Sequence, residues 1–149
     1  MVSVLALATV LAQAPNAGPT LMSVTPVEAR LFSASSDPAK VTSCSAQRKV
    51  YAGPFTIISV SVSVINSGKK TIDVLGVAIV PFDAFNKPSG EGGINLLPHL
   101  NLAPGQTYTD TNLTDGAQSL PQTYVIHCYV ANIRFADDTT WSWTDSLKK

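Results

Sequence analysis

The side chains that most often carry out catalysis are scarce in this chain of 149 residues. It has two histidines: His99 follows Pro98 in a loop-like segment, and His127 precedes Cys128 in a strand-like one. Adjacent residues of a strand point to opposite faces, so His127 and Cys128 cannot bind one metal ion together. Zinc and copper sites need three or four convergent ligands. We therefore expect no metal site and no cofactor.

Carboxylates are the remaining candidates for acid–base chemistry, because the chain has no Gly-x-Ser-x-Gly motif and no phosphate-binding Gly-rich loop. Two carboxylates placed together can hydrolyse a glycosidic bond. Here the acidic side chains are spread over segments rich in turn-forming residues, where they usually cap and solvate loops. They include Asp83, Glu91, Asp110, Asp115, Asp137 and Asp138. We expect no catalytic residue and rank a small hydrolase third among the possible functions.

Two tryptophans, Trp141 and Trp143, are spaced two residues apart in the last predicted strand. This spacing places both on one face of that strand. If exposed, they and Tyr129 would form a surface that stacks on sugar rings or anchors a protein partner. The alternative is that one or both close the edge of the core.

The chain contains two cysteines, Cys44 and Cys128. An even number of cysteines permits a disulfide in an exported protein. Cys128 shares a predicted strand face with Ile126 and Val130, so it should point into the core. We predict a Cys44–Cys128 disulfide, and two separate buried thiols are the alternative.

The N-terminal residues resemble a secretory signal. Residues 2–11 are almost all apolar, and this run is too short to span a bilayer. We expect residues 1–12 to be a signal peptide, with cleavage after Ala12 or Ala14, and residues 13–23 to be a flexible leader. The expected location is periplasmic or extracellular, with no transmembrane segment in the mature chain.

The formal net charge is zero, and only 13% of the residues are charged. A neutral chain lacks the basic surface with which proteins bind nucleic acids or anionic lipids. We therefore expect no nucleic-acid partner.

Alternating hydrophobicity predicts an all-β protein. In residues 55–65, Val60, Val62 and Val64 alternate with serines, which is typical of a half-buried strand. Residues 72–82 are more continuously apolar, which predicts a central strand, and the intervening Gly68 turn predicts a hairpin. Residues 124–135 form a third long strand if a bulge near Ala131 returns the last apolar residues to the core.

Shorter strands are predicted in the rest of the chain. They cover residues 24–32 (an edge strand, because of Pro26), a segment around Cys44, and residues 94–97, 107–113 and 139–143. This pattern predicts one immunoglobulin/fibronectin-III-like antiparallel β-sandwich of about seven strands over residues 24–146.

Four segments of the chain resemble bacterial exported immunoglobulin-like domains of the FxLYD-like type. They are the Asn-Ser-Gly turn at residues 66–68, the aromatic-Asp segment at residues 82–83, the Leu-Ala-Pro-Gly-Gln turn at residues 102–106, and the strand pair at residues 130–141. The resemblance covers about residues 55–141. It implies a β-sandwich that serves as an accessory or adhesion-type module.

The function we expect is therefore that of a non-enzymatic exported binding or structural module. A carbohydrate-binding module that uses Trp141, Trp143 and Tyr129 is the alternative. The long connection of residues 83–104 is the predicted interaction surface, because binding residues concentrate in loops held by a rigid scaffold. Within it, we expect residues 94–97 to fold back on the core, which leaves Phe85 and His99 to meet an unknown protein or glycan.

Overall fold

The computed structural model describes residues 18–53, 55–89, 92–114 and 122–146. The predicted signal peptide and the first part of the predicted leader lie outside the described residues. The described chain forms eight strands and one short helical turn. They are β1 (Leu21–Leu31), β2 (Ala39–Tyr51), β3 (Thr56–Asn66), β4 (Ile72–Phe82), β5 (Gly93–Leu97), β6 (Thr107–Thr114), β7 (Val125–Phe135), β8 (Thr140–Ser142) and α1 (Trp143–Ser146).

The strands form one curled mixed sheet in the order β5-β4-β7-β1-β2-β3-β6, and β8 pairs with β7. The sheet curls at β1, whose first part pairs with β2 and whose last part pairs with β7. We call the strands on the β2 side (β2, β3 and β6) the β3 wing, and those on the β7 side (β7, β4, β5 and β8) the β4 wing. Both wings bury apolar side chains in one common core.

Pro26 explains how β1 passes from one wing to the other. At Pro26 the strand pairs only with β2, and pairing with β7 begins two residues later at Glu28. Proline has no N–H for a second neighbour, so it suits a position where one side of the strand is free. The pairing of β1 with β7 is parallel, so the prediction of a purely antiparallel sheet is wrong at this pair.

As predicted, the alternating sequence of β3 forms a half-buried strand, and the apolar sequence of β4 forms a strand with neighbours on both sides. Val60, Val62 and Val64 are fully buried, and the intervening serines lie on the half-exposed face. On that face Ser63 and Thr109 of β6 share a hydrogen bond of 2.9 Å between their hydroxyl oxygens. β4 lies between β5 and β7, which is the central position predicted from its composition.

The predicted bulge in β7 is confirmed at Ala131. Gly76 of β4 is opposite Asn132, and the next residue, Val77, is opposite Val130, so Ala131 is the additional residue. The bulge reverses the alternation of the strand. As a result Ile133 and Phe135 point into the same core as Val130.

The predicted hairpin of β3 and β4 is wrong. β3 pairs with β2 and β6, and β4 pairs with β5 and β7, so the turn at residues 67–71 connects the two wings. Both strands carry a large apolar face, and placing them in opposite wings lets these faces meet in one core. A paired hairpin would set the two strands side by side in one wing.

Two further segments are longer than predicted. β2 extends over 13 residues although its sequence is largely polar. It lies between β1 and β3, so backbone hydrogen bonds on both sides favour the strand, and Ala39, Val41 and Ala46 are enough to fill its inward face. β1 begins at Leu21, so residues 21–23 belong to a strand and not to the predicted flexible leader.

The buried side chain of Asn66 joins two turns that are distant in the sequence. Its amide nitrogen donates to the carbonyl oxygens of Lys70 (2.9 Å) and Leu102 (2.8 Å), and its amide oxygen accepts from the Gly68 N–H (3.0 Å). Its main-chain N–H donates to Gln106, and its carbonyl accepts from the Gly105 N–H. The Asn-Ser-Gly turn and the Leu-Ala-Pro-Gly-Gln turn are therefore one hydrogen-bonded unit.

A disulfide joins Cys44 of β2 to Cys128 of β7, as predicted, with Cα atoms 6.5 Å apart. It crosses the core from the β3 wing to the β4 wing and closes a sequence separation of 84 residues. Among the residues described, no helix has the length and apolar character needed to cross a membrane.

We predict that Asn66→Ala lowers the free energy of unfolding by about 2–4 kcal/mol, because the substitution removes three hydrogen bonds of a fully buried amide, to Lys70, Leu102 and Gly68. Urea denaturation followed by tryptophan fluorescence measures the change. Asn132→Ala, at an exposed asparagine of β7, is the matched control and should change stability by less than about 0.5 kcal/mol. Equal stabilities for the two variants would contradict the role given to Asn66.

We predict that the double variant Cys44→Ala/Cys128→Ala loses about 3–5 kcal/mol of stability, because the disulfide closes a long loop in the unfolded chain. Urea denaturation of the oxidised wild type and of the variant tests this. The wild type treated with a reductant should unfold at the midpoint of the variant. A reductant that leaves the wild-type midpoint unchanged would contradict the prediction.

Candidate functional site

β5, which lies within the predicted interaction surface of residues 83–104, is the last strand of the sheet order and forms the free edge of the β4 wing. The two predicted contact residues lie on either side of β5. Phe85 is 82% exposed, and the His99 side chain is 84% exposed. Both are therefore accessible to a partner, one in the segment before β5 and the other in the segment after it.

Asp83 builds the turn that presents Phe85. One carboxylate oxygen of Asp83 accepts hydrogen bonds from the main-chain N–H groups of Phe85 (2.8 Å) and Lys87 (2.9 Å). Asn86 adopts a positive φ of 58° within this turn, a conformation that asparagine tolerates better than most residues. The Phe85 ring is thus exposed on a hydrogen-bonded turn.

His99 is held at the other end by the chain on both sides of it. It adopts a positive φ of 56°, as Asn101 does with 49°, while Leu100 between them packs against the core. The Leu100 N–H donates to the Asp73 carbonyl (2.9 Å). His99 Nδ1 lies 3.7 Å from Asp73 Oδ1, and Asp73 also forms an ion pair with Arg134.

The prediction that residues 94–97 fold back on the core holds for Leu97 only. Leu97 is buried, but Ile94 and Leu96 are 51% and 65% exposed. The period of a strand explains the difference, because Ile94 and Leu96 share the face opposite to that of Leu97. β5 therefore keeps two apolar side chains on the outer face of the β4 wing.

A shallow groove of about 330 Å³ lies beside these side chains on the outer face. Gly76 forms part of its floor, and Leu96 and Arg134 are among the residues that line it. A Cβ atom at Gly76 would approach the Ile94 Cγ2 atom to 3.0 Å, so the Ile94 side chain would have to shift by a few tenths of an ångström. The absence of a side chain at Gly76 therefore leaves room for Ile94 beside the groove.

The two tryptophans do not form the predicted common face. β8 ends at Ser142, so Trp143 begins the helical turn α1 and leaves the strand. Trp141 packs partly against the core, as the core-edge alternative proposed. Trp143 packs against Tyr129, with ring centroids 5.2 Å apart and planes tilted by 46°.

Trp141 also lines a second pocket, of about 410 Å³, at the end of the β4 wing. Lys69 and Lys70 lie at this pocket. The Lys70 ammonium is 2.7 Å from a carboxylate oxygen of Asp137. Hydrogen bonds from Lys70 and from Thr139 lower the pKa of Asp137 to about 2. This acid is therefore a structural partner of the β7–β8 turn.

An aromatic cluster that the sequence did not reveal lies on the outer face of β7. The His127 ring lies between Phe32 and Phe82, with centroid distances of 4.6 Å and 4.1 Å. Phe32, His127, Tyr129 and Trp143 line a pocket of about 270 Å³, which we call the aromatic pocket. The alternation of side chains along β7 could have indicated part of this cluster, because it places His127 and Tyr129 on the face opposite to Cys128.

His127 is in an environment that disfavours its charged form. Burial lowers the pKa of His127, and the nearby Arg30 guanidinium lowers it further, while Glu28 acts in the opposite direction. The Nε2 atom is buried and has no hydrogen-bond partner among the described residues. His127 is therefore held as a neutral imidazole at pH 7.

Within the described residues, no group of three His, Cys, Asp or Glu side chains is placed to hold a metal ion. Three of the acidic side chains considered above have local partners: Asp83 caps its own turn, Asp110 accepts from the Tyr108 hydroxyl, and Asp137 pairs with Lys70. Glu91 and Asp115 lie outside the described residues.

Comparison of the chain with protein-family models, with curated proteins and with solved structures returns no match.

We predict that the wild type loses stability as the pH falls below about 6.5 and that His127→Gln loses less. The pKa of His127 is lower in the folded state than its value of 6.5 in an open chain, so the unfolded state binds the proton more readily. The contribution is full above pH 6.5 and declines as the pH falls towards the folded pKa. Urea midpoints at pH 8 and pH 5.5 measure it.

His99→Gln is the matched control for this measurement, since it removes the other histidine at an exposed position. It should retain the pH dependence of the wild type. If His99→Gln abolished the dependence and His127→Gln kept it, the assignment to His127 would be wrong.

Proposed function

We propose that this protein is a non-enzymatic exported binding module with an immunoglobulin/fibronectin-III-like β-sandwich of the FxLYD-like type. The two wings supply the two layers that such a sandwich needs, with the Cys44–Cys128 disulfide between them. The hydrogen bonds of Asn66 support the resemblance, because they join two of the turn motifs that carry it.

Export is supported by the disulfide together with the apolar N-terminal sequence. Disulfides persist in oxidising compartments such as the periplasm and the extracellular space. A single disulfide that links the two wings would be lost in a reducing cytosol, and with it the stability that it confers.

The observation that carries the binding role is the exposure of Phe85 on an ordered turn. A phenylalanine that is 82% exposed adds nothing to the core, whereas the Asp83 carboxylate fixes the backbone beneath it. Exposed aromatic rings on rigid supports are common anchors in protein–protein interfaces. We propose a protein partner that contacts Phe85 and His99 at the two ends of the β5 connection.

A glycan is the second candidate ligand, and the aromatic pocket favours it. Tyr129 and Trp143 lie there in ring contact beside Phe32, and such rings can stack on the apolar face of a sugar. We rank this candidate second because the tilted rings do not offer one flat platform and because Trp141 packs towards the core.

The test is capture of partners from an envelope extract by the immobilised protein. We predict that Phe85→Ala/His99→Ala melts within about 2 °C of the wild type, because both side chains are exposed, and that it loses the captured protein. Phe55→Ala is the matched control, since Phe55 is an exposed aromatic residue at the β2–β3 connection. That control should capture the partner like the wild type.

Two outcomes would contradict the proposal. Unchanged capture by Phe85→Ala/His99→Ala would remove the connection from the binding surface. Capture that survives this variant and is lost in Tyr129→Ala/Trp143→Ala would place binding in the aromatic pocket and would favour a sugar ligand.

A further inference from the structure

The exposed backbone edge of β5 is unlike the other free strand edges of the described chain. An edge strand presents unpaired N–H and C=O groups, and proteins usually protect such edges with proline, charged side chains or bulges. β5 has none of these within Gly93–Leu97, and it presents two exposed apolar side chains, Ile94 and Leu96.

Of the other free edges, those of β1 and β6 carry such protection, and β8, which pairs only with β7, is just three residues long. The free side of β1 includes Pro26, and its last part carries Glu28 and Arg30, which form an ion pair with each other. β6, whose free side forms the opposite edge of the sheet, carries the charged residue Asp110 at its middle, between threonines. β5 is therefore the edge best suited to pairing with a further strand.

The sequence of β5 is complementary to itself in an antiparallel arrangement. When two copies pair about Asn95, Ile94 of one protomer lies opposite Leu96 of its partner, and the reverse pair forms by symmetry. Because Ile94 and Leu96 share the outer face, all four side chains meet on that face. Asn95 lies opposite Asn95 on the two-fold axis, where the two amides can hydrogen-bond to each other.

We propose that two copies of this protein associate through β5, so that the β4 wings of the two protomers form one continuous sheet. The formal net charge of zero favours a second copy, since no long-range repulsion opposes the approach. Burial of Ile94 and Leu96 supplies the driving force, and the backbone groups of the two edges satisfy each other.

The length of β5 limits the strength of this association. The strand has five residues, and Pro98 directly after it cannot donate to the ladder. An interface built on one short strand pair belongs to the small, transient class. The proposal uses side chains other than Phe85 and His99, so it does not depend on the partner proposed above.

Sedimentation velocity of the exported protein over about 10 µM to about 1 mM tests the proposal, because weak interfaces associate in this range. The weight-average mass of the wild type should rise towards twice the monomer mass. The Ile94→Lys/Leu96→Lys variant should remain monomeric, since both lysines would face like charges across the strand pair. Met22→Lys/Val24→Lys is the matched control, with exposed apolar residues of β1, and should associate like the wild type.

A cysteine cross-link gives a second measurement that does not depend on the lysine variants folding. Asn95→Cys should form a covalent dimer under mild oxidation, because the two-fold axis places the two residues opposite each other. Thr109→Cys, at an exposed position of the β6 edge, should not. A wild type that is monomeric throughout, association that survives Ile94→Lys/Leu96→Lys or is lost in Met22→Lys/Val24→Lys, or equal cross-linking of both cysteine variants would overturn the proposal.

Discussion

The hydrogen bonds of the buried Asn66 determine how the two wings of the sheet are joined. β3 and β4 are consecutive in the chain but lie in different wings, so the chain must change wings within the five residues of the turn. The amide of Asn66 closes this turn onto Lys70 and also holds Leu102, 36 residues away, against its other side. One side chain thus fixes how the wings meet and where the connection after β5 ends. Because the amide is fully buried, each of its polar atoms needs a partner, and asparagine supplies the necessary two donors and one acceptor.

A second constraint, the bulge at Ala131, decides which residues face outwards. Without it, Ile133 would leave the core, and β8 could not bring Trp141 back to the core edge. The disulfide at Cys128 fixes the parity of the preceding half of β7, so His127 and Tyr129 must lie on the outer face. The core side of the fold is therefore strongly determined, and the surfaces available for function follow from it: the aromatic pocket on β7 and the edge at β5.

Much of this fold could be predicted from local patterns. The alternating valines of β3, the apolar run of β4, the bulge near Ala131 and the pairing of the cysteines are properties of single segments or of residue parity. The partners of the strands could not be predicted in this way. A short Gly-containing turn is compatible with a hairpin and with a change of wing, and only the shared core and the distant carbonyl of Leu102 decide between them. The length of β2 could not be predicted either, because this polar segment forms a long strand only through its pairing with β1 and β3.

Part of the candidate site was also predictable, namely the part that depends on local sequence patterns. The length and composition of the β5 connection were visible in the sequence, and they led to Phe85 and His99. The outward position of Ile94 and Leu96 was not, because the composition of this short strand does not show which of its two faces meets the core. The aromatic pocket was missed because Phe32, His127 and Trp143 are far apart in the chain and meet only where β1 and α1 both reach β7.

We infer that the hydrogen bonds of Asn66 hold a rigid scaffold that leaves the β5 edge open, and amide hydrogen exchange measured by NMR in dilute protein reports on both features. We predict that the turn amides of Gly68 and Gly105, which donate to Asn66, exchange as slowly as those of the core strands β3 and β4, although both residues lie in turns. The amides of β5 that face away from β4 should exchange fast. Fast exchange at Gly68 and Gly105, or protection along the whole of β5, would show that this inference is wrong.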